Sequence, residues 1–356
     1  MTSPSSWSDL PVEILLLIFD FAKDPIDILR CGAVCKSWLP TALQVYRRFF
    51  PLCFIQPEKD IDDNLVFFNI LNKETRKIHL PEAMGKCICC SCNGWLLIVD
   101  DFSFPCGMHL LNIFSRTQIL LPPSSSLPIS FPDPHDKFRS IHFQCKLLLS
   151  GCPTVSDCMI LLLLAHGSHD ESTCAIAFCK PGDESWAWFL CKTPDWKISD
   201  AILNNGSIYA SRKFPPAVIS VKEDETIPVP EPILTHNIDG AFLVNSLNGH
   251  LLLVCYRRED PDGKLFDVFE FVISTEECNE VNDLDGCTLF MSPNGNHLAK
   301  TGNLETSFKG NCIYFFRHSE GDYLIYDMET RHSEIVPSRG LPGDGSSLIL
   351  WVNPDV

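Results

Sequence analysis

The sequence lacks any long apolar segment, and this absence limits how the chain can relate to a membrane. Its longest uninterrupted apolar run, Cys158 to Ala165, has eight residues, whereas a membrane-spanning helix needs about 20. The N-terminus also lacks the basic region and apolar core that are typical of a secretory signal peptide. We therefore expect a protein that does not enter a membrane and that is found inside the cell, in the cytoplasm, the nucleus or both.

Positive charge is scarce as well. Lys and Arg number 28 against 45 Asp and Glu, which gives a net charge of -17 at pH 7. Nucleic acids and anionic membranes bind positively charged surfaces, so the composition argues against both as partners. The first 50 residues carry five acids and five bases, so the whole net charge lies in residues 51–356. An acidic surface there favours a basic partner segment.

Cysteine is abundant, with 18 residues scattered through apolar runs, which is typical of reduced intracellular thiols and not of a disulfide framework. Two overlapping C-x-x-C pairs, at Cys87, Cys89, Cys90 and Cys92, raise a zinc site as an alternative. A regular strand points Cys87 and Cys89 to one face and the other two cysteines to the opposite face. We therefore predict buried strand cysteines, with no metal and no cofactor.

The length of 356 residues and a hydrophobic content of 45% predict a folded chain with one small module, residues 1–50, and one large domain, residues 51–356. The small module is helical. Asp9 is expected to cap a first helix, and further helices are expected to begin at Pro25 and Pro40. In the first helix an apolar stripe recurs at helical spacing, at Ile14, Leu17, Ile18 and Phe21. A module of this size does not bury enough surface to be stable alone, so the stripe needs a partner.

The same residues resemble an F-box. The resemblance rests on Leu10-Pro11, Glu13-Ile14-Leu15, Ile18, Val34-Cys35-Lys36 and Trp38. It implies a three-helix module that binds the Skp-family adaptor of a cullin-RING ubiquitin ligase. The adaptor-binding residues implied by the resemblance are Leu10, Pro11, Ile14, Leu15, Ile18, Val34, Cys35 and Trp38. The alternative is an ordinary helical hairpin that packs on the next domain.

After residue 51 short apolar runs alternate with Gly, Pro, Asn and Asp, which is typical of an all-β domain. Two patterns repeat along it. The first is a strand, a polar turn with Thr or Ser before Arg, and a strand that ends at proline, as in residues 112–122 and 326–337. The second is Asn-Gly, or Gly-Asn, before an apolar strand, as at residues 93, 205, 248 and 310. These residue types tolerate positive φ, so we expect them to form the tight turn that enters an inner strand. Together the two patterns predict a propeller of six or seven four-stranded blades.

A propeller closes its ring by pairing the two ends of the domain. The early run Leu52–Ile55 and the late run Ser347–Val352 are expected to share one blade or to lie in adjacent blades. With the F-box, this domain resembles a large family of plant F-box proteins whose C-terminal kelch-like propeller is of unknown function. The sequence departs from true kelch and WD repeats, since it has neither their paired glycines nor their Trp-Asp signature.

Other motifs point to no chemistry. His166, Ser168, His169 and Asp170 are expected to form a hairpin loop and not a catalytic group. The Gly-rich run 343–347 lacks the lysine of a phosphate-binding loop. For Trp186, Trp188 and Trp196, packing between blades is preferred over ligand binding.

The resemblance implies a non-catalytic substrate receptor of an SCF-type ubiquitin ligase, which binds the Skp adaptor, through it cullin, and an unknown protein substrate. Two alternatives stay open. One is a propeller enzyme or ligand-binding protein with a vestigial F-box, and the other is an F-box scaffold that works outside a ligase.

Overall fold

The structure of the chain is a computed structural model. It describes residues 7–22, 25–49, 53–57, 64–69, 75–100, 106–113, 115–129, 143–167, 172–190, 198–213, 216–221, 225–228, 238–260, 262–275, 277–292, 295–300, 308–317, 322–337 and 350–352.

The N-terminal part contains three helices: α1 (Val12–Phe21), α2 (Pro25–Val34) and α3 (Leu39–Phe49). The expected cap at Asp9 is wrong, because Asp9 lies in a single 3-10 turn, Trp7–Asp9, and α1 begins three residues later. Pro11 holds an extended backbone, and its carbonyl accepts the N–H groups of Ile14 at 3.0 Å and Leu15 at 3.1 Å. The physical reason is that a residue before proline is disfavoured in helical conformation, so Leu10 cannot start the helix.

The three helices share a small core to which each of them contributes. Phe19 of α1 packs edge-to-face on Trp38, with ring centroids 6.1 Å apart. Gly32 of α2 lets α3 approach closely, since a Cβ at this position would lie 2.7 Å from the Cβ of Ala42. The buried core residues are Leu15, Phe19, Ile28, Trp38, Ala42 and Val45.

The described β-strands form six sheets, which are numbered in chain order. Sheet 1 contains β25, β1, β2 and β3, which are Leu350–Val352, Cys53–Pro57, Asn64–Asn69 and Thr75–His79. Sheet 2 contains β4 to β7, which are Cys87–Cys92, Trp95–Val99, Met108–Asn112 and Gln118–Leu121. Sheet 3 contains β8 to β11, which are Phe143–Leu149, Ile160–Gly167, Ser172–Cys179 and Ala187–Leu190.

Sheet 4 contains β12 to β15, which are Ile198–Asn204, Ser207–Lys213, Pro216–Ser220 and Glu225–Pro228. Sheet 5 contains β16 to β19, which are Ile238–Asn245, Leu251–Arg257, Phe266–Val272 and Glu277–Val281. Sheet 6 contains β20 to β24, which are Cys287–Ser292, Gly295–Lys300, Cys312–Arg317, Asp322–Asp327 and Ser333–Pro337.

The sheets surround a common axis as the blades of a propeller. The innermost strands contact one another in a cycle, from β4 through β8, β12, β16, β21 and β25 back to β4. Sheets 1 to 5 are regular four-stranded antiparallel blades. Sheet 6 is different, because it has five strands and β20 pairs in parallel with β22. The prediction of six or seven four-stranded blades is corrected accordingly: the described residues form five such blades and one irregular sheet.

The two ends of the domain pair directly. β25 is antiparallel to β1, with Leu350 opposite Ile55 and Val352 opposite Cys53. The prediction that the two runs share one blade or lie in adjacent blades is therefore confirmed, and they share one blade.

The Asn-Gly turns have the backbone that was predicted, at a different place in the blade. Asn93 and Gly94 have φ angles of 47° and 76°, and Asn205 and Gly206 have 48° and 79°. A two-residue hairpin needs positive φ at both positions, and these residue types tolerate it. The turns connect the innermost strand to the second strand, whereas the sequence patterns located no strand before them.

A single cluster of buried side chains joins the helices to sheets 1 and 2. The helical core residues named above form one end of it. The other end is formed by strand residues, which include Leu65, Ile88, Leu96, Ile98 and Leu111. Helices and propeller therefore share apolar burial in addition to the chain connection between Phe49 and Cys53.

Ionisable side chains are buried between the blades and within them. Lys146 on β8 forms a buried ion pair with Asp200 on β12, and Asp200 also accepts the N–H of Leu243 on β16 at 2.9 Å. This carboxylate thus ties the innermost strands of sheets 3, 4 and 5. In sheet 2, His109 is 2% exposed, and its Nδ1 lies 3.4 Å from the carboxylate of Asp100.

The first prediction concerns closure of the ring. We expect a chain that ends at Pro342, and so lacks β25, to lose its cooperative thermal transition, because sheet 1 loses a strand and the ring stays open. Circular dichroism melting checks this. A chain that ends at Val352 keeps β25 and should melt like the full chain; cooperative melting of the shorter chain would contradict the role of the pairing.

The second prediction concerns pH. Burial, followed by the positive charge of Lys86, lowers the pKa of His109 below its usual value of 6.5. Below pH 6.5 the unfolded chain therefore binds more protons than the folded chain, so stability falls as the pH drops through this value.

We expect the melting temperature of the wild type to fall more between pH 7.5 and pH 5.5 than that of His109→Gln, which does not titrate. His332 is exposed, so His332→Gln should behave like the wild type. An equal fall of the melting temperature in the wild type and in His109→Gln would show that this histidine does not cause the loss of stability at acidic pH.

Candidate adaptor-binding surface

An apolar stripe lies exposed along α1. Its members are Ile14, Leu17, Ile18 and Phe21, of which Phe21 is 86% exposed. These positions are separated by three or four residues, so they lie on one side of the helix. The stripe is the one that the sequence predicted to need a partner.

The stripe faces outward because another set of apolar residues fills the core. Leu15 and Phe19 are buried, with Leu15 only 2% exposed, and Leu16 and Ala22 pack partly against the same cluster. At 3.6 residues per turn, these positions lie on the opposite side of α1 from Leu17 and Phe21. The helix is thus apolar on two sides, and only one side is used within the described part of the chain.

Further exposed apolar residues extend this surface. Val34, at the end of α2, is 75% exposed, and Trp7 and Leu39 are exposed on the segments that flank the helices. Of the sixteen exposed large hydrophobic residues among those described, eight lie between Trp7 and Leu39. Scattered exposed apolar residues are normal, whereas such a concentration is typical of surfaces that bind another molecule. We call the eight residues the helical apolar surface: Trp7, Val12, Ile14, Leu17, Ile18, Phe21, Val34 and Leu39.

Two side-chain hydrogen bonds hold the N-terminal turn against the start of α3. The indole Nε1 of Trp38 donates to the carbonyl of Trp7 at 3.0 Å. The hydroxyl of Ser37 donates to the carbonyl of Ser8 at 2.9 Å. These bonds fix the direction in which the chain enters Leu10-Pro11 and hence α1.

The connection between α2 and α3 contains Cys35, which is half-buried. Its Sγ lies 3.0 Å from the Oγ of Ser37. Hydrogen bonding with the side chain of Ser37, supported by the backbone N–H of Ser37, lowers the pKa of the Cys35 thiol. The charges around the surface are balanced, with Arg30 paired to Asp27 at 3.0 Å.

The residues assigned to adaptor binding from the resemblance divide into three groups. Pro11, Ile14, Ile18 and Val34 are exposed. Leu10 and Cys35 are half-buried. Leu15 and Trp38 lie in the helical core, so their burial indicates a structural role, and direct contact of either with a partner stays a prediction.

Sequence reasoning left Leu17 and Phe21 out of the predicted interface although both belong to the exposed stripe. The signal was present, since the helical spacing grouped them with Ile14 and Ile18. The residues on which the F-box resemblance rests do not include these two positions.

Among the residues that the structure describes, the other candidates form no second site. Trp186 is buried and its indole donates to the carbonyl of Pro122 at 2.9 Å, whereas Trp188 is exposed on β11. The predicted shared core position of these two is therefore correct only for Trp186. Residues 168–170, Trp196 and the run 343–347 lie outside the described residues.

The cysteines of β4 depart from simple strand alternation. A β-bulge between Ile88 and Cys90 places both Cys89 and Cys90 against the cluster between sheets 2 and 3, although neighbours on a regular strand face opposite ways. Within the described ranges, no three His, Cys, Asp or Glu side chains are arranged to hold a metal ion. In the same part of the chain, no helix is long and apolar enough to span a membrane.

Comparison with known proteins agrees with this architecture. A family model described as F-box-like matches residues 7–51, and one described as KIB1-4 beta-propeller matches residues 67–327. A putative F-box protein of Arabidopsis thaliana is 25% identical over 87% of this chain and 85% of its own length. An F-box/kelch-repeat protein of the same plant is 22% identical over 99% of this chain and 96% of its own.

Among solved structures, TolB from Acinetobacter baumannii is 12% identical, and the match covers 85% of this chain and 66% of TolB with a TM-score of 0.39. A likeness this low says nothing about activity.

Fold and surface together define an F-box protein with a C-terminal β-propeller, as the sequence resemblance implied. The chain belongs to the KIB1-4 beta-propeller family.

The third prediction concerns Trp38. In Trp38→Phe the bond to the carbonyl of Trp7 is lost, which costs about 1 kcal/mol. We expect amide hydrogen exchange in residues 7–22 to become about fivefold faster, with exchange in sheets 3 to 5 unchanged.

Trp7→Phe is the matched control, because it keeps the backbone carbonyl that accepts the bond and changes only an exposed side chain. Equal exchange in both variants would contradict the proposed role of the indole.

Proposed function

We propose that this protein is the substrate-recognition subunit of an SCF-type ubiquitin ligase, in which the helical module binds a Skp-family adaptor and the propeller recruits a target protein. The observation that carries the proposal is the exposed stripe on α1, on a module whose core is already filled from the other side of the helix. Membership in a family of F-box proteins supports the same partner.

The helical apolar surface has the properties of a binding surface. Its residues are large, and four of them lie on one side of α1. Burying one such side chain fully contributes about 1.5–3 kcal/mol. A few well-buried residues of this kind supply most of the affinity in protein interfaces. Phe21 and Leu17, with the largest exposed fractions on α1, are the expected anchors.

The mechanism we propose is proximity. The adaptor links the module to cullin and thereby to the ubiquitin-carrying enzyme, while the propeller holds the target. Tethering raises the effective concentration of the target's lysines at the reaction centre. The chain itself then contributes no catalytic residue, and the proposal puts it inside the cell, in the cytoplasm, the nucleus or both.

The shared apolar cluster between the helices and sheets 1 and 2 supports this mechanism. A module that hung from the propeller by a free linker would hold a target at many distances from the reaction centre. A packed module restricts the target to a narrow range of positions, which increases the fraction of productive encounters.

The fourth prediction tests the proposal with purified full-length chain and a purified Skp-family adaptor. We expect Leu17→Asp with Phe21→Asp to weaken binding at least about tenfold, because charges would be buried in an apolar interface. Both side chains are exposed, so the variant should fold.

The matched control is Leu120→Asp, which changes a residue that is 80% exposed on β7 of the propeller and should leave binding unchanged. Failure of the wild type to bind would contradict the proposal and favour a propeller enzyme or ligand-binding protein with a vestigial F-box. Binding of the adaptor without recovery of cullin would favour a scaffold that works outside a ligase.

A further inference from the structure

Five cysteines gather where the innermost strands of sheets 2 and 3 meet. Four of them lie on β4, and the fifth, Cys145, lies on the neighbouring strand β8. β4 and β8 are in direct contact. The cluster is separate from the helical apolar surface, and the proposed function makes no use of it.

Within this cluster one pair of thiols is in contact. The Sγ atoms of Cys90 and Cys145 lie 3.5 Å apart, although the two residues are 55 positions apart in the sequence. Both side chains are buried, at 0% and 4% exposure. A disulfide has sulfur atoms about 2.05 Å apart, so a shift of less than about 2 Å brings the pair to bonding distance.

The bulge in β4 creates this contact. It inserts an extra residue beside Ile88 and directs Cys90 into the interface between the sheets. Cys106 is also buried, but its sulfur donates to the hydroxyl of Ser124 at 2.9 Å. The pair at Cys90 and Cys145 is thus a specific juxtaposition, and burial of cysteine alone does not account for it.

We propose that Cys90 and Cys145 form a peroxide-dependent disulfide that fastens sheet 2 to sheet 3. Hydrogen peroxide accepts two electrons from the two thiols. Both S–H bonds and the O–O bond break, the S–S bond forms, and two water molecules leave. The product adds a covalent bond between the innermost strands of the two blades.

The rate at which each thiol reacts with peroxide depends on the surroundings of that thiol. Burial raises the pKa of Cys90 well above its usual value, so its reactive thiolate is rare and the disulfide forms slowly. Cys87 is half-buried, and the hydrogen bond from Cys89 lowers its pKa. Cys87 is therefore expected to react before Cys90, and its modification reports that the dose of oxidant is sufficient.

The link should stabilise the ring. Joining residues 55 positions apart reduces the freedom of the unfolded chain. We expect the melting temperature of the oxidised protein to rise by several degrees, and dithiothreitol to reverse the rise.

The fifth prediction is tested by exposing the reduced full-length chain to hydrogen peroxide at pH 7.5 and mapping its proteolytic peptides without reduction. The expected product is a linked pair of peptides that contain Cys90 and Cys145, lighter by two hydrogen atoms than their sum. Cys90→Ser and Cys145→Ser should each remove it, and Cys106→Ser should keep it.

The peptide map of the wild type shows whether Cys90 and Cys145 become linked, even where a variant folds poorly. Linkage of other cysteine pairs, or modification of Cys87 with no link between Cys90 and Cys145 after prolonged exposure, would overturn the proposal. A linked pair that leaves the melting temperature unchanged would overturn the claim that it fastens the blades.

Discussion

The pairing of β25 with β1 is the contact on which the rest of the propeller depends. It joins residues 350–352 to residues 53–55, so almost the whole domain lies between the two partners. β25 also contacts β4, β20 and β21, and through these contacts sheet 1 meets both of its neighbours. Pairing over such a separation is entropically costly and forms late, which makes the last strand the step that completes the fold.

This closure also positions the helices. The chain passes from α3 directly into β1, the strand that receives β25. The helical core then continues as one apolar cluster into sheets 1 and 2. The module is therefore attached to the part of the ring that closes last, and its orientation relative to the other blades depends on that closure. An open ring would keep the helical apolar surface but lose its fixed relation to the propeller.

How far the sequence predicted this structure depends on the kind of signal. Two local features were predicted correctly: Pro25 starts α2, and Asn-Gly makes hairpin turns because positive φ is needed there. The local prediction of a cap at Asp9 was wrong. Which side of α1 faces the core was harder to predict. Leu15 and Phe19 form one apolar side of the helix, and Leu17 and Phe21 form another. Periodicity detects both sides but does not say which is buried, since that depends on what α2 and α3 supply.

Irregular pairing was beyond sequence reasoning for a related reason. The bulge at Ile88 and the parallel pairing of β20 with β22 arise from contacts between distant segments, and neither leaves a pattern in its own residues. The sequence patterns also located the strand after each Asn-Gly turn and passed over the innermost strand before it. Innermost strands such as β12 bury polar residues, Asp200 and Asn204 among them, so their apolar pattern is interrupted.

The irregular sheet bears on the choice between the proposed protein-binding propeller and a propeller that binds a small molecule. β21 is an additional strand on the axial side of β20, and it contacts β16, β25 and β4, which belong to sheets 5, 1 and 2. A backbone segment that reaches three other blades occupies space near the axis that a small ligand would need. An enzyme or ligand-binding propeller uses that axial space, whereas a protein-binding propeller uses the loops on its two faces. The position of β21 thus favours recognition of a protein on a face over binding of a small molecule at the axis.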